Sequence, residues 1–202
     1  MNRRPSNVAI RRIASLAALA TLWATFASAG VYKIDKSHSE AGFKIRHFLS
    51  KSSGRFDDFS GTIDLDEQDP TKSTVSFMIK AASIDTDNSS RDEQLRSEDF
   101  FWVDKYPEII FMSTKITKTG KNTYDVTGNL TMRGVTKPIT LPVTFLGTMH
   151  DPWGGVRAGF EAAITINRKD WGINWNKALD QGGYMLSDDV DISISIDAVE
   201  EK

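Results

Sequence analysis

Val190-Asp191-Ile192-Ser193-Ile194-Ser195-Ile196-Asp197-Ala198 (residues 190–198) alternates apolar and polar side chains without a break. A β-strand sends successive side chains to opposite faces, so this stretch has one apolar and one wet face; wound as a helix it would scatter both kinds around the axis. The same period recurs upstream in Ala158, Phe160, Ala162, Ile164 and Ile166, and in Ile139, Leu141, Val143 and Phe145. It recurs again in Tyr124, Val126, Gly128, Leu130 and Met132, and with weaker contrast in Val75, Phe77, Ile79 and Ala81. Residues 32–47, 55–66 and 106–115 complete a set of eight strands. Strand follows strand, with turn signals at Asp66-Glu67-Gln68-Asp69-Pro70, Gly120-Lys121-Asn122 and Arg133-Gly134. Sequence neighbours therefore pair antiparallel, and the expected fold is all-β: an eight-stranded antiparallel up-and-down barrel, wide enough to be filled by its own side chains or to hold one small ligand.

Two connections are long. Residues 85–105, between strands three and four, carry a short helix, because Ser90-Arg91-Asp92-Glu93 has capping-box spacing ahead of Leu95. Residues 167–187, between strands seven and eight, carry Trp171, Trp175 and Gly182-Gly183. In a closed meander the odd-numbered connections share one end, so both long connectors fall together there, and that end is read as the mouth. Basic residues gather toward it, Arg55, Arg96, Arg133 and Arg168 among them, and are the candidates for an anionic head group. Asp92, Glu93, Glu98, Asp99, Asp170 and Asp180 also lie near the mouth, so sequence alone does not sign the local field.

Composition narrows the function classes. The chain of 202 residues has no cysteine, which excludes a disulfide framework, a thiol nucleophile and a thiolate metal site. Its 25 basic and 27 acidic residues give no support to nucleic-acid binding. Residues 1–29 read as a cleaved secretory signal: Arg3, Arg4, Arg11 and Arg12 precede an apolar run from Ile13 to Phe26, and Ala27-Ser28-Ala29 suits signal peptidase. Setting aside those four arginines leaves 21 basic against 27 acidic residues, so residues 30–202 form one acidic domain expected in the periplasm.

The ligand candidates follow from the inward register. Phe43, Ile45, Phe77, Phe111, Leu130, Phe145 and Phe160 lie on strands, where they either fill a core or line a cavity. His47 shares their parity as a polar group at the top of the cavity or as a hydrogen-bonded structural histidine. Trp171 and Trp175 lie in a connector, where aromatics are costly unless they cap the barrel or line an entrance. His38 and His47 are nine positions apart, which puts them on opposite faces of a regular strand, and no metal site is expected. Asp85-Thr86-Asp87-Asn88 lacks the glycine and glutamate of a calcium loop and reads as a turn into the helix. No nucleophile with its base is marked, so neither an enzyme nor a cofactor is expected.

These residues resemble the YceI-like family of periplasmic, polyisoprenoid-binding, lipocalin-like proteins over the whole of residues 30–202. The resemblance is carried by Asp35, His38-Ser39, Phe43 and His47, then Gly54-Arg55-Phe56 and Phe59-Ser60-Gly61. It continues in Arg91-Asp92-Glu93-Gln94-Leu95-Arg96-Ser97-Glu98-Asp99-Phe100-Phe101, Lys105-Tyr106-Pro107-Glu108-Ile109, Gly128-Asn129-Leu130-Thr131, Arg133-Gly134-Val135-Thr136-Lys137-Pro138, Asn167-Arg168 and Asp170-Trp171-Gly172. Glu93-Gln94 departs from the family, where a histidine is frequent before the leucine, so no helix-borne histidine role carries over. The resemblance implies an apolar cavity holding an isoprenoid chain without catalysis. The expected function is a periplasmic carrier for a quinone, a quinone precursor or a prenyl phosphate, with a fatty-acid or fatty-amide binder of the same fold as the alternative. Expected partners are that amphiphile and, transiently, a membrane; a homodimer is compatible with the reading.

Overall fold

The computed structural model describes Met1 and residues 30–202 except Gln181, so the signal-sequence reading of 1–29 lies outside the described segments apart from Met1. Eleven strand segments form one closed antiparallel sheet. They are β1 (Gly30–Ile34), β2 (Glu40–His47), β3 (Ser50–Phe56), β4 (Phe59–Leu65), β5 (Thr74–Lys80) and β6 (Ile84–Asp85), followed by β7 (Glu108–Lys118), β8 (Thr123–Met132), β9 (Val135–His150), β10 (Val156–Asn167) and β11 (Leu186–Glu200). The sheet order is β1-β4-β5-β7-β8-β9-β10-β11-β2-β3-β6, and β1 also pairs with β11.

These segments make eight barrel strands because the first two are each bent into two segments and the two-residue β6 only adds a short pairing to β3. A 3-10 turn over Lys36–His38 breaks the expected strand 32–47 into β1 and β2. Both halves still pair with β11, Ile34 opposite Ala198 and Ala41 opposite Ile194. The break corrects the parity argument for the histidines: His38 lies in the turn, where its Nδ1 is 2.8 Å from Asp35 Oδ2, and not on a regular strand. The second expected strand is likewise split between Phe56 and Phe59 and begins at Ser50, earlier than the sequence suggested; β3 pairs with β2 and β4 with β1.

The alternation of 190–198 holds: Ser193 and Ser195 are exposed, while Ile196 and Ala198 are buried. At β7–β8 the sheet admits a large ring only because position 128 has no side chain; a Cβ there would come within 2.5 Å of Phe111 Cζ. The connection after β8 is a two-residue turn with positive φ at both Arg133 (50°) and Gly134 (73°), the geometry that matches strand twist.

The mouth end is assembled as expected from the odd connections. Helix α1 (Ser89–Arg96) is capped by Asn88, whose side chain accepts from Arg91 N, and not by the predicted Ser90. Arg133 donates to Gly172 O and, at 2.7 Å, to Glu98 O, tying the β8–β9 turn to both long connectors. Phe48 N donates to Met185 O at 2.9 Å, which attaches the β2–β3 turn to the same group.

Candidate ligand-binding cavity

The barrel is not filled. A cavity of about 370 Å³ runs along its interior, within the size range of small-molecule sites. Its walls are overwhelmingly apolar, from Leu65 and Tyr124 at the far end to Phe101 and Trp175 at the mouth. Many inward side chains, including Phe43, Phe77, Leu141, Ile164, Ile192 and Ile194, are only partly buried although they point away from bulk solvent. In a core packed to crystal-like density such residues would be fully covered. Here they face open space.

Of the strand residues predicted to line a ligand site, Phe43, Ile45, His47, Phe77 and Phe111 border the cavity, and so do Leu130, Phe145 and Phe160. Phe145 and Phe160 stack at 5.1 Å between ring centroids. Trp175 also borders it, closing the mouth with Phe100 at 5.3 Å. Trp171 does not: it is 2% exposed, and its indole N–H donates to Leu130 O at 3.1 Å, so it wedges the connector against β8 instead of facing the cavity.

Three of the four head-group candidates are also placed elsewhere. Arg55 lies outside the barrel among Asp57, Asp85 and Asp87. Arg96 donates to Ala82 O (2.7 Å) and Ile84 O (2.8 Å), and Arg133 holds the connectors together as described. An arginine's fork suits several carbonyls at once, and each of these three side chains is committed to its own chain.

Arg168 does reach the cavity wall and is 3% exposed. It donates to Ser187 O (3.0 Å), Ile173 O (2.8 Å) and Trp175 O (2.7 Å). Its Nη2 has no hydrogen-bond partner among the described residues and lies 3.5 Å from Asp188 Oδ1. Burial pulls its pKa below the ordinary arginine value, opposed by Asp188.

Most of the polar groups that sequence reasoning did not assign to the cavity gather at the mouth, with Ser73 and Glu161 bordering it elsewhere. Ser52, Thr86, Arg91 and Gln94 join His47 on the wall. Asp92, buried in α1, accepts from Thr86 N (2.9 Å) and Oγ1 (2.6 Å), and Thr86 in turn accepts Arg91 Nε at 2.7 Å on Oγ1 and Nη2 at 2.7 Å on its carbonyl. The side-chain spacing offered one signal: Arg91 and Leu95 are four apart on one helical face, and both border the cavity.

The sequence profile of the YceI-like domain matches residues 32–198. The chain belongs to the YceI-like family. A UPF0312 protein from Photorhabdus laumondii is 46% identical over 182 residues, covering 89% of this chain and 91% of its own length. Among solved structures, this YceI-like barrel is similar to a YCEI protein from Campylobacter jejuni, at 33% identity and a TM-score of 0.68 over 83% of this chain and 96% of that one. A polyisoprenoid binding domain from Saccharophagus degradans, implicated in plant cell wall breakdown, shares the fold at 18% identity and a TM-score of 0.63, over 84% of this chain and 98% of its own.

Proposed function

We propose that this YceI-like protein is a periplasmic carrier that holds a long-chain isoprenoid amphiphile, such as a quinone, a quinone precursor or a prenyl phosphate. The chain lies along the apolar cavity, and the polar head meets His47, Ser52, Arg91 and Gln94 at the mouth. The observation that carries the reading is the unfilled apolar interior with most of its polar wall groups at one end. The polyisoprenoid binding of a domain with the same fold supports the class of ligand. The leader-like segment 1–29 supports export to the periplasm.

Each buried CH₂ contributes about 0.8 kcal/mol relative to water, so a few isoprene units suffice for micromolar binding, about −8 kcal/mol. Relative to a bilayer interior that gain nearly vanishes, and function then rests on exchange between protein and membrane.

Native mass spectrometry of the protein purified without detergent tests the proposal. The expected result is an isoprenoid adduct, or its appearance after incubation with vesicles containing geranylgeraniol, with the ligand recovered chemically unchanged. A bare mass and no uptake overturn the carrier reading, and a fatty-acid or fatty-amide mass replaces the ligand class.

A further inference from the structure

The turn joining β2 to β3 carries Phe48 and Leu49 as its two central residues, with His47 paired to Ser50 across it. Phe48 has φ 52°. Positive φ in a two-residue hairpin turn is ordinarily given to glycine, asparagine or aspartate, and a bulky aromatic there is strained. Local packing repays little of the strain: the Phe48 ring meets His47 edge-on at 4.5 Å between centroids, yet Phe48 is 44% exposed and Leu49 98%. Tyr184, 67% exposed, is held close by, because Phe48 N donates to the carbonyl of Met185.

This tip stands on the rim of the cavity. Its neighbours His47, Ser52, Met185 and Leu186 all belong to the cavity wall. Beside it the barrel wall is incomplete, since β6 pairs with β3 only at Arg55 and Phe56. Residues 50–54 therefore present a strand edge with no partner strand on that side among the described residues, next to α1 with Arg91 and Gln94.

We propose that the Phe48-Leu49 turn, with Tyr184 beside it, inserts into a lipid bilayer and brings this opening into contact with the membrane. The inference rests on the reading of the cavity as a lipid site. Three exposed side chains on a protruding turn are far less than the roughly 800 Å² per partner of a stable protein–protein interface, but they suit insertion between lipids. The surrounding charges are balanced: Lys51 pairs with Asp191 and Lys169 with Asp188, and in the same segments Arg46 and Lys177 are matched in number by Asp180 and Asp189. The contact is therefore apolar and not electrostatic. A chain that leaves one apolar interior for another then crosses no water.

The test compares Phe48→Asn/Leu49→Gly with the unmodified protein, and uses Trp153→Ser, 84% exposed at the opposite end, as control. Fluorescent geranylgeraniol is supplied either from phosphatidylcholine vesicles or from cyclodextrin. In the double variant we expect a raised thermal midpoint, because the turn strain is relieved, and unchanged uptake from cyclodextrin. Transfer from vesicles should slow by about tenfold or more, and sedimentation with vesicles should be lost in the variant yet survive about 1 M salt in the unmodified protein. The control should behave as the unmodified protein.

Unchanged vesicle transfer in the double variant, or a loss that follows Trp153, overturns the docking. A lowered midpoint with lost cyclodextrin uptake also overturns it, by making the turn structural. No uptake by the unmodified protein from either source overturns the isoprenoid reading instead, and vesicle sedimentation then decides the docking alone.

Discussion

Arg157 meets three carboxylates from separate stretches of the chain: Asp35 (3.0 Å), Asp151 (3.4 Å) and Asp197 (2.9 Å). It thereby fastens the break between β1 and β2 to the β9–β10 turn and to β11. The hydrogen bond from His38, then that from Arg157, holds the Asp35 carboxyl below the ordinary aspartate range. A carboxyl whose pKa is depressed by folding contributes stability above its unfolded pKa, about 3.9, and loses it as pH falls through the folded value. Asp35→Asn should therefore lower the thermal midpoint near neutrality and flatten its fall below about pH 4; an acid limb parallel to the unmodified protein's would contradict this. Arg168 allows a prediction of a different kind. Replacement by methionine leaves the carbonyls of Ser187, Ile173 and Trp175 without their donor, a loss of about 3 kcal/mol or more in urea unfolding. Arg168→Lys should recover little of it, because a point ammonium does not reach three carbonyls in a fork. Sequence marked Arg168 but could not separate it from Arg55, Arg96 and Arg133, since an arginine's destination depends on which carbonyls the loops bring to it.

At the scale of elements, five alternating runs were legible because one face of each strand is apolar and the other wet, and three further ranges completed the eight strands. The two bends were not recognised, although a trace of them stands in the sequence. Inward positions are even at Tyr32 and Ile34 but odd at Ala41, Phe43 and Ile45, and they change from Phe56 to Phe59, Ile63 and Leu65. Each change of parity marks the place where a regular strand must break. The helix was legible in position but not in its cap, because Asn88 and Ser90 are equally good caps by type and only backbone geometry chooses between them. Asn88→Ala removes the acceptor of Arg91 N and should cost about 1 kcal/mol. Helix α1 has eight residues and buries only Asp92 among them, so the loss should appear as faster hydrogen exchange across 89–96 with little change elsewhere.

For the whole molecule, closure of the sheet and emptiness of its interior pull in opposite directions. Closure pairs nearly every strand edge without help from a disulfide, while the cavity forgoes the contacts that a packed core would add. Sequence could not decide between a filled and an unfilled barrel, because the same inward phenylalanines and isoleucines serve both. Substitution can decide it. Ile192 lies mid-barrel, opposite Phe43 on β2 and Ile164 on β10, and borders the cavity. In a packed interior Ile192→Phe would overfill the site and cost about 1–3 kcal/mol. In this barrel the ring has room, so the ligand-free protein should gain about 0.5–2 kcal/mol and a higher thermal midpoint. The same ring occupies the path of the isoprenoid chain, so uptake should fall, and with it the ligand-induced stabilisation, about 2.7 kcal/mol at a hundredfold excess over Kd in the unmodified protein. A variant that is more stable when empty and less stabilised by ligand is the expected pair of results, read from thermal midpoints with and without geranylgeraniol; a midpoint that drops in the absence of ligand would mean that the interior is filled.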